Sequence, residues 1–349
     1  MKQDLTEKIK NLINQPDIDE NEVIFQLKKL LYDNDLKKLA PRDTISLSEL
    51  LSEKLSEIKN PLVAETIIKT GIESLDRALC GFALGELVVL GGRPAMGKTQ
   101  LLIYLSMKFS RTIPVLYFSF DYSMSMLKNR YVSIMAQVAT DRLMRGDLEL
   151  DEKEMIIHQV EKKLNTYKIF INDGCSDSVS LLRAHCQKQI AENGVKVVII
   201  DYLQLMSHPR LRYNRELEIS YITRELKNMA REFNVCVIVA SQLSREAERR
   251  PGCKRPILSD LRDSGAIEQD ADKVLFVYRP EYYRIEEDEF GNSTTRILEL
   301  IIAKNRTGST ASIKLRHGNG FASFEDVEET PDEFIFDKNR LDEIDNPPF

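Results

Sequence analysis

Gly92-Arg93-Pro94-Ala95-Met96-Gly97-Lys98-Thr99 carries the spacing G-x-x-x-x-G-K-T. A short apolar run, Leu87-Val88-Val89-Leu90, precedes it, and apolar residues at helical spacing follow at Leu101, Leu102, Leu105 and Phe109. Strand, glycine loop and helix in that order are the context in which this pattern cradles phosphate. Glycines let successive backbone N–H groups converge on phosphate oxygens, and the start of the helix adds a favourable dipole. Residues Gly92 to Thr99 therefore predict a nucleoside triphosphate site. Lys98 would reach the β- and γ-phosphates, and the Thr99 hydroxyl would hold Mg²⁺.

Outward from this loop, short apolar runs alternate with helical patterns. Val115–Phe120, Tyr167–Ile171, Val195–Ile200 and Val235–Ser241 read as strands. Helices are expected through Leu127, Tyr131 and Met135, over about Asp151 to Leu164, over Val179 to Asn193 and over Arg215 to Phe233. Continuous apolar strands separated by helices imply an α/β fold with a mostly parallel central sheet covered on both faces. The runs Val274–Tyr278, Ile297–Ala303, Ser312–Leu315 and Phe321–Phe324 lack helices between them and predict an antiparallel edge.

Ahead of this core, residues 1–44 read as a short extension of two helices, broken near Pro16 and ended by Pro41. Leu47, Leu50, Leu51, Leu55 and Ile58 then place a third helix in a connecting segment, 45–69. The main domain is expected over 70–328, followed by an acidic tail, 329–349.

Composition narrows the classes. The apolar runs are far too short to span a bilayer, and no secretory leader is visible, so no membrane partner is expected. Five cysteines without close pairing fit a reducing cytoplasm. The net charge of −6 argues against nucleic acid until its distribution is considered. Glu325–Phe349 carries ten acidic and two basic residues, which leaves the preceding 324 residues at +2. A near-neutral body is compatible with a local basic channel.

Other candidates follow from strand ends. Val197-Val198-Ile199-Ile200-Asp201 is an apolar strand closing on a carboxylate, the group that holds Mg²⁺ beside a phosphate loop. Tyr202 follows it, so the water-orienting carboxylate must come from elsewhere. Asp121 ends the Val115–Phe120 strand, which is predicted to flank the phosphate loop; alternatively, Asp121 caps the next helix. Gln242 closes another strand, where an amide would face the γ-phosphate. From Ser244 to Asp263 runs a long polar stretch with Arg245, Arg249, Arg250, Lys254, Arg255 and Arg262, readable as a nucleic-acid contact or as a solvated loop. Lys304 and Arg306 follow a late strand; spacing alone reads them equally as surface charge or as cations offered to a triphosphate, often from another subunit.

Taken together, these stretches resemble the C-terminal motor domain of the DnaB-type hexameric replicative DNA helicases. The marks are Thr70-Gly71-Ile72, the Gly92–Thr99 loop, Phe118–Ser123, Ile200–Leu205, Ser241–Arg245, Tyr278–Tyr283, Ala303–Gly308 and, most specifically, Leu258–Asp272. The resemblance implies a RecA-like P-loop core in a homohexameric ring, with ATP and Mg²⁺ bound between subunits and single-stranded DNA in the central channel. It assigns Gln242 to γ-phosphate sensing, Lys304 and Arg306 to catalysis in trans, and Arg262, Asp263 and Gly265 to DNA. The Leu47–Ile58 helix resembles the linker that docks on a neighbouring subunit. Two departures stand out. The family carries glutamate where this chain has Asp121, and its N-terminal collar is longer than residues 1–44, so primase binding is not expected. A DnaB-like switch ATPase that binds DNA or a partner without unwinding is the second reading.

Overall fold

The computed structural model describes residues 46–59, 67–174, 178–208, 211–250, 254–261 and 265–327. The chain divides into two units, residues 1–65 and 66–349. In the first, helix α1 (Leu47–Lys59) covers the predicted amphipathic segment and leaves Leu47, Leu51, Leu55 and Ile58 exposed. The two helices expected in residues 1–44, and the acidic tail, lie outside the described residues.

The second unit is built on a nine-stranded sheet. Its strands in chain order are β3 (Leu87–Gly92), β4 (Val115–Ser119), β5 (Ile169–Asn172), β6 (Val197–Asp201), β7 (Cys236–Gln242), β8 (Lys273–Tyr278), β9 (Ile297–Asn305), β10 (Ala311–His317) and β11 (Phe324–Asp326). They pack in the order β11-β10-β9-β8-β3-β7-β6-β4-β5. Strands β8 through β5 in that order are mutually parallel, and β9, β10 and β11 complete an antiparallel edge as expected. A two-stranded ribbon, β1 (Ile67–Ile68) with β2 (Phe82–Ala83), carries no sequence signal; two residues per strand leave no periodicity to detect.

Side chains alternate across the strands. Val88, Leu90, Tyr117, Val197 and Ile199 point to one face, packed with Leu101, Leu102, Leu105 and Phe109 of α3 (Lys98–Phe109) and Leu127 and Tyr131 of α4 (Met124–Ala136). Leu87, Val89, Leu116, Phe118, Val198 and Ile200 point to the other, against Leu182 and Cys186 of α7 (Val179–Asn193) and Ile219, Ile222 and Leu226 of α8 (Arg215–Phe233). Helix α8 has the predicted limits for a local reason. The Asn214 side chain accepts the Leu217 N–H at 3.1 Å at its start, and Asn234 takes a left-handed conformation at its end.

Helices α2 (Glu73–Leu79), α5 (Thr140–Arg145) and α6 (Leu150–Lys163) complete the layers before β5. Beyond β7 come two short helices, α9 (Glu246–Arg249) and α10 (Gly265–Asp270). Among the described residues no helix is long and apolar enough to cross a membrane.

One expectation is corrected by the strand order. β4 does not flank the phosphate loop: β7 and β6 stand between it and β3, because β3 pairs with β7 and β8. The pairing partners are set by burial of both sheet faces, which local sequence does not encode.

Candidate active site

The loop after β3 begins where β3 emerges between β7 and β8. Gly91 sits so close to Phe276 that a Cβ there would lie 2.7 Å from the ring. Gly97 caps α3 at φ 95°, a left-handed conformation that glycine adopts without cost. The side chains of Arg93 and Met96 are buried within the protein, so only their backbone is offered to the loop. Arg93 Nε donates to Glu248 Oε1 at 2.9 Å and its Nη1 to the Leu243 carbonyl at 2.8 Å, tying the loop to the segment after β7.

Lys98 Nζ donates to the carbonyls of Gly92 at 2.7 Å and Arg93 at 3.0 Å. Burial, opposed by the Asp201 carboxylate, lowers its pKa to about 8. Asp201 is almost wholly buried at the end of β6. Burial raises its pKa against hydrogen bonds from the Thr99 hydroxyl and from Tyr117, whose O–H donates at 3.1 Å. A hydroxyl and a carboxylate brought together beside a phosphate loop are the hard oxygen donors that Mg²⁺ takes from protein, the remainder being phosphate and water.

Asp121 stands two residues beyond β4, exposed on the rim of the same cleft. A turn fixes it. Ser119 Oγ donates to the Tyr122 carbonyl at 2.7 Å, and the Phe120 N–H donates to the Asp201 carbonyl at 2.8 Å. The alternative role as helix cap is taken by Asp173, which accepts the Met124 N–H at 2.6 Å. The Asp121 charge is instead felt by Lys98 and Asp201.

Together with Gln242, these residues line one cleft of roughly 410 Å³. Gln242 is held by a residue that the sequence reading gave no role, though it lies in the Ile200–Leu205 stretch. Gln204, three residues past Asp201, accepts the Gln242 N–H at 3.0 Å and donates to Ser241 Oγ at 2.9 Å. Gln100, Tyr122 and Arg130 line the cleft too, and Arg130 lies over the Tyr122 ring and donates to Gln100 Oε1 at 2.9 Å.

The cleft's opposite end is built from the antiparallel edge. Phe321 lines it, and Gln100 Nε2 donates to its carbonyl at 3.2 Å. Arg279, just past β8, lies 4.6 Å from the Phe321 ring and donates from Nη1 to the Ala95 carbonyl of the phosphate loop at 3.1 Å. Arg279 lies in the Tyr278–Tyr283 stretch and Phe321 at the start of the run read as a strand, but they are far apart along the chain and no spacing rule joins them; Phe321 falls in a 3₁₀ turn before β11.

Lys304 and Arg306 are not in the cleft. β9 runs antiparallel to β8, so it finishes at the opposite end of the strands from the phosphate loop: Asn305 is level with Lys273, and Lys273 with Val88 near the start of β3. Gly92, where the phosphate loop begins, lies four residues further along, about 13 Å at ~3.3 Å per residue. Here Lys304 Nζ donates to the Glu268 and Gln269 carbonyls at the end of α10, and burial lowers its pKa. Arg306 pairs with Asp272 at 3.3 Å.

Of the residues expected to meet DNA, Gly265 opens α10 and is exposed, with open space where a Cβ would lie. Arg262 and Asp263 lie outside the described residues. The expected basic stretch is partly consumed internally: Arg250 pairs with Asp260, Lys254 donates to the Glu248 carbonyl at 2.8 Å, and Arg255 pairs with Glu299 at 2.8 Å.

Comparison with known proteins agrees with this fold. The model of the DnaB-like helicase C-terminal domain matches residues 67–326. A probable replicative DNA helicase of Trieres chinensis is 38% identical over 316 residues, covering 87% of this chain and 67% of that one. The replicative DNA helicase DnaB of Rickettsia conorii is 32% identical, covering 89% and 68%. The chain thus spans about two thirds of the length of these relatives. Among solved structures, one described as an ATPase domain superposes with a TM-score of 0.73 at 31% identity, covering 82% of this chain and all of that one. A DnaB-like replicative helicase, described with its interactions with primase, gives 0.74 at 28% identity, covering 93% and 75%. With a phosphate loop, a buried strand-end carboxylate and a RecA-like sheet in one cleft, the chain belongs to the DnaB-like helicase family through its C-terminal, ATP-hydrolysing domain.

Proposed function

We propose that this chain is an ATP-dependent DnaB-type helicase whose copies assemble as a ring, hydrolyse ATP at the interfaces between them and move on single-stranded DNA. The observation that carries the interface reading is the position of Lys304 and Arg306. The cleft supplies phosphate binding, a carboxylate for water and a γ-phosphate amide, while these cations stand at the opposite end of the strands. That placement supports a role for them in the cleft of another copy.

On ATP binding, Lys98 leaves the Gly92 and Arg93 carbonyls for the β- and γ-phosphates. Thr99 and Asp201 would hold Mg²⁺, which when bound neutralises charge on the phosphate oxygens. Asp121 orients the attacking water and takes its proton, and the Gln242 amide meets the γ-phosphate. Arg306 of a neighbouring copy stabilises charge on the phosphoryl group in flight. Phe321 and Arg279 receive the base, an aromatic face and a guanidinium being suited to stacking. Head-to-tail contacts of this kind close into a ring when the rotation permits.

The test is ATP turnover with and without single-stranded DNA, beside strand separation of a forked duplex. DNA-stimulated turnover with ATP-dependent separation is expected. DNA-stimulated turnover without separation would instead support the switch-ATPase reading, which the shorter Asp121 side chain favours.

A further inference from the structure

The base end of the cleft rests on one carboxylate. Glu281 lies two residues past Arg279, in the short 3₁₀ turn Pro280–Tyr283. Its Oε1 accepts a hydrogen bond from Arg279 Nη2 and lies 3.3 Å from His317 Nε2. Its Oε2 accepts the Arg296 N–H at 2.8 Å. The carboxylate is therefore bolted to backbone on one side and holds two side chains on the other. Both of those touch Phe321. The His317 ring stacks on it at 4.1 Å and 22°, and Arg279 lies over it at 4.6 Å. His317 is buried, and its Nδ1 is 3.1 Å from the Gly318 carbonyl. Phe321 itself has φ 61°, an unusual conformation for a side chain of its size, which the surrounding contacts must maintain.

We infer that Glu281 is a positioning residue for nucleotide recognition: it sets Arg279 and His317 around Phe321 so that the base of ATP meets a preformed platform. This rests on the reading of Phe321 and Arg279 as the base end of the cleft. A charged acceptor is suited to the task. Arg279 also donates to the Ala95 carbonyl, and an arginine shared between two acceptors keeps its plane only if both stay in place. Burial opposes ionisation of Glu281, but the hydrogen bonds from Arg279 and Arg296 outweigh it and hold its pKa below the usual carboxylate value.

The experiment compares two probes on the full chain by calorimetry: a non-hydrolysable ATP analogue, which has a base, and inorganic tripolyphosphate, which has none. The parent, Glu281→Gln and Phe321→Ala are measured, each checked for folding by thermal melting. Glu281→Gln should weaken the ATP analogue by roughly tenfold and leave tripolyphosphate unchanged, a loss of the order that one stacked base supplies. Phe321→Ala should do the same or more. If Phe321→Ala narrows the gap between the probes and Glu281→Gln does not, the role of Glu281 is refuted while the base platform stands. If Phe321→Ala leaves the gap untouched, the base reading falls and the inference with it. Equal weakening of both probes by Glu281→Gln would mean that the carboxylate acts through the phosphate loop, which also overturns the proposal.

Discussion

Gln204 bridges two strand ends: it accepts the Gln242 N–H at 3.0 Å and donates to Ser241 Oγ at 2.9 Å. The carboxylate proposed for Mg²⁺ and the amide proposed for the γ-phosphate are thereby held in register. Arg215 at the start of α8 in turn donates to the Gln204 carbonyl at 2.7 Å. Gln204→Ala should keep ATP affinity and lose about tenfold or more in kcat, since small misplacements of reacting groups are costly. Steady-state turnover and equilibrium binding, measured together, check this; kcat within about twofold of the parent would show the bridge to be dispensable.

Asp121 offers a graded test of the water-orienting role. Asp121→Asn preserves the turn made by Ser119 but removes the base, so turnover should fall by about 10²-fold or more with nucleotide binding intact. Asp121→Glu, which restores the family's residue, should keep activity or raise it. Parental activity in the Asn variant would move the role to another group.

Lys98 predicts a pH dependence. Ligand-free, its pKa is about 8, while phosphates favour the charged form. ATP binding near pH 8 should therefore take up about half a proton, visible as a dependence of the calorimetric heat on buffer ionisation. Affinity should weaken as pH rises through that value. Lys98→Arg, which stays charged, should remove both effects. The same shift acts on stability with a definite sign. Below pH ~8 the amine is protonated folded and unfolded, and folding carries the penalty. Between ~8 and ~10.5 the unfolded chain binds more protons, so this residue's contribution rises with pH.

Arg306 should prove necessary in a neighbour. Arg306→Ala should bind ATP normally and hydrolyse it about 10³- to 10⁵-fold more slowly. Mixing it with Lys98→Ala subunits should restore part of the activity, because some interfaces then pair an intact phosphate loop with an intact arginine. Full turnover by a verified monomer would refute the assignment in trans.

One buried cation inside the sheet gives a stability test apart from function. Lys273 Nζ pairs with Glu86 at 2.7 Å and donates to the Gly81 carbonyl at 3.1 Å, nearly out of water. Glu86→Ala leaves that ammonium uncompensated and should cost about 3–5 kcal/mol in urea unfolding. A loss below about 1 kcal/mol would mean that water reaches the site.

By itself the amino-acid sequence determined what depends on neighbours along the chain. The phosphate loop is eight contiguous residues, its glycine conformations and helix start being local, so its chemistry was legible before any fold. The buried strands announced themselves as apolar runs, and α8 by its period and its Asn214 and Asn234 ends. Asp201 and Gln242 were legible as polar residues closing such strands. The tertiary structure alone decided what depends on pairing across the chain. It set β7 and β8, not β4, beside β3, and still brought Asp121 to the cleft across two intervening strands. It turned β9 back against β8, carrying Lys304 and Arg306 to the end of the strands away from their own phosphate loop. It gathered Arg279, Glu281, His317 and Phe321 into one end of the site. The physical reason is common to all three. Hydrogen-bond partners between strands are chosen by how two faces of a sheet bury their side chains together, and that choice is made by the whole core at once.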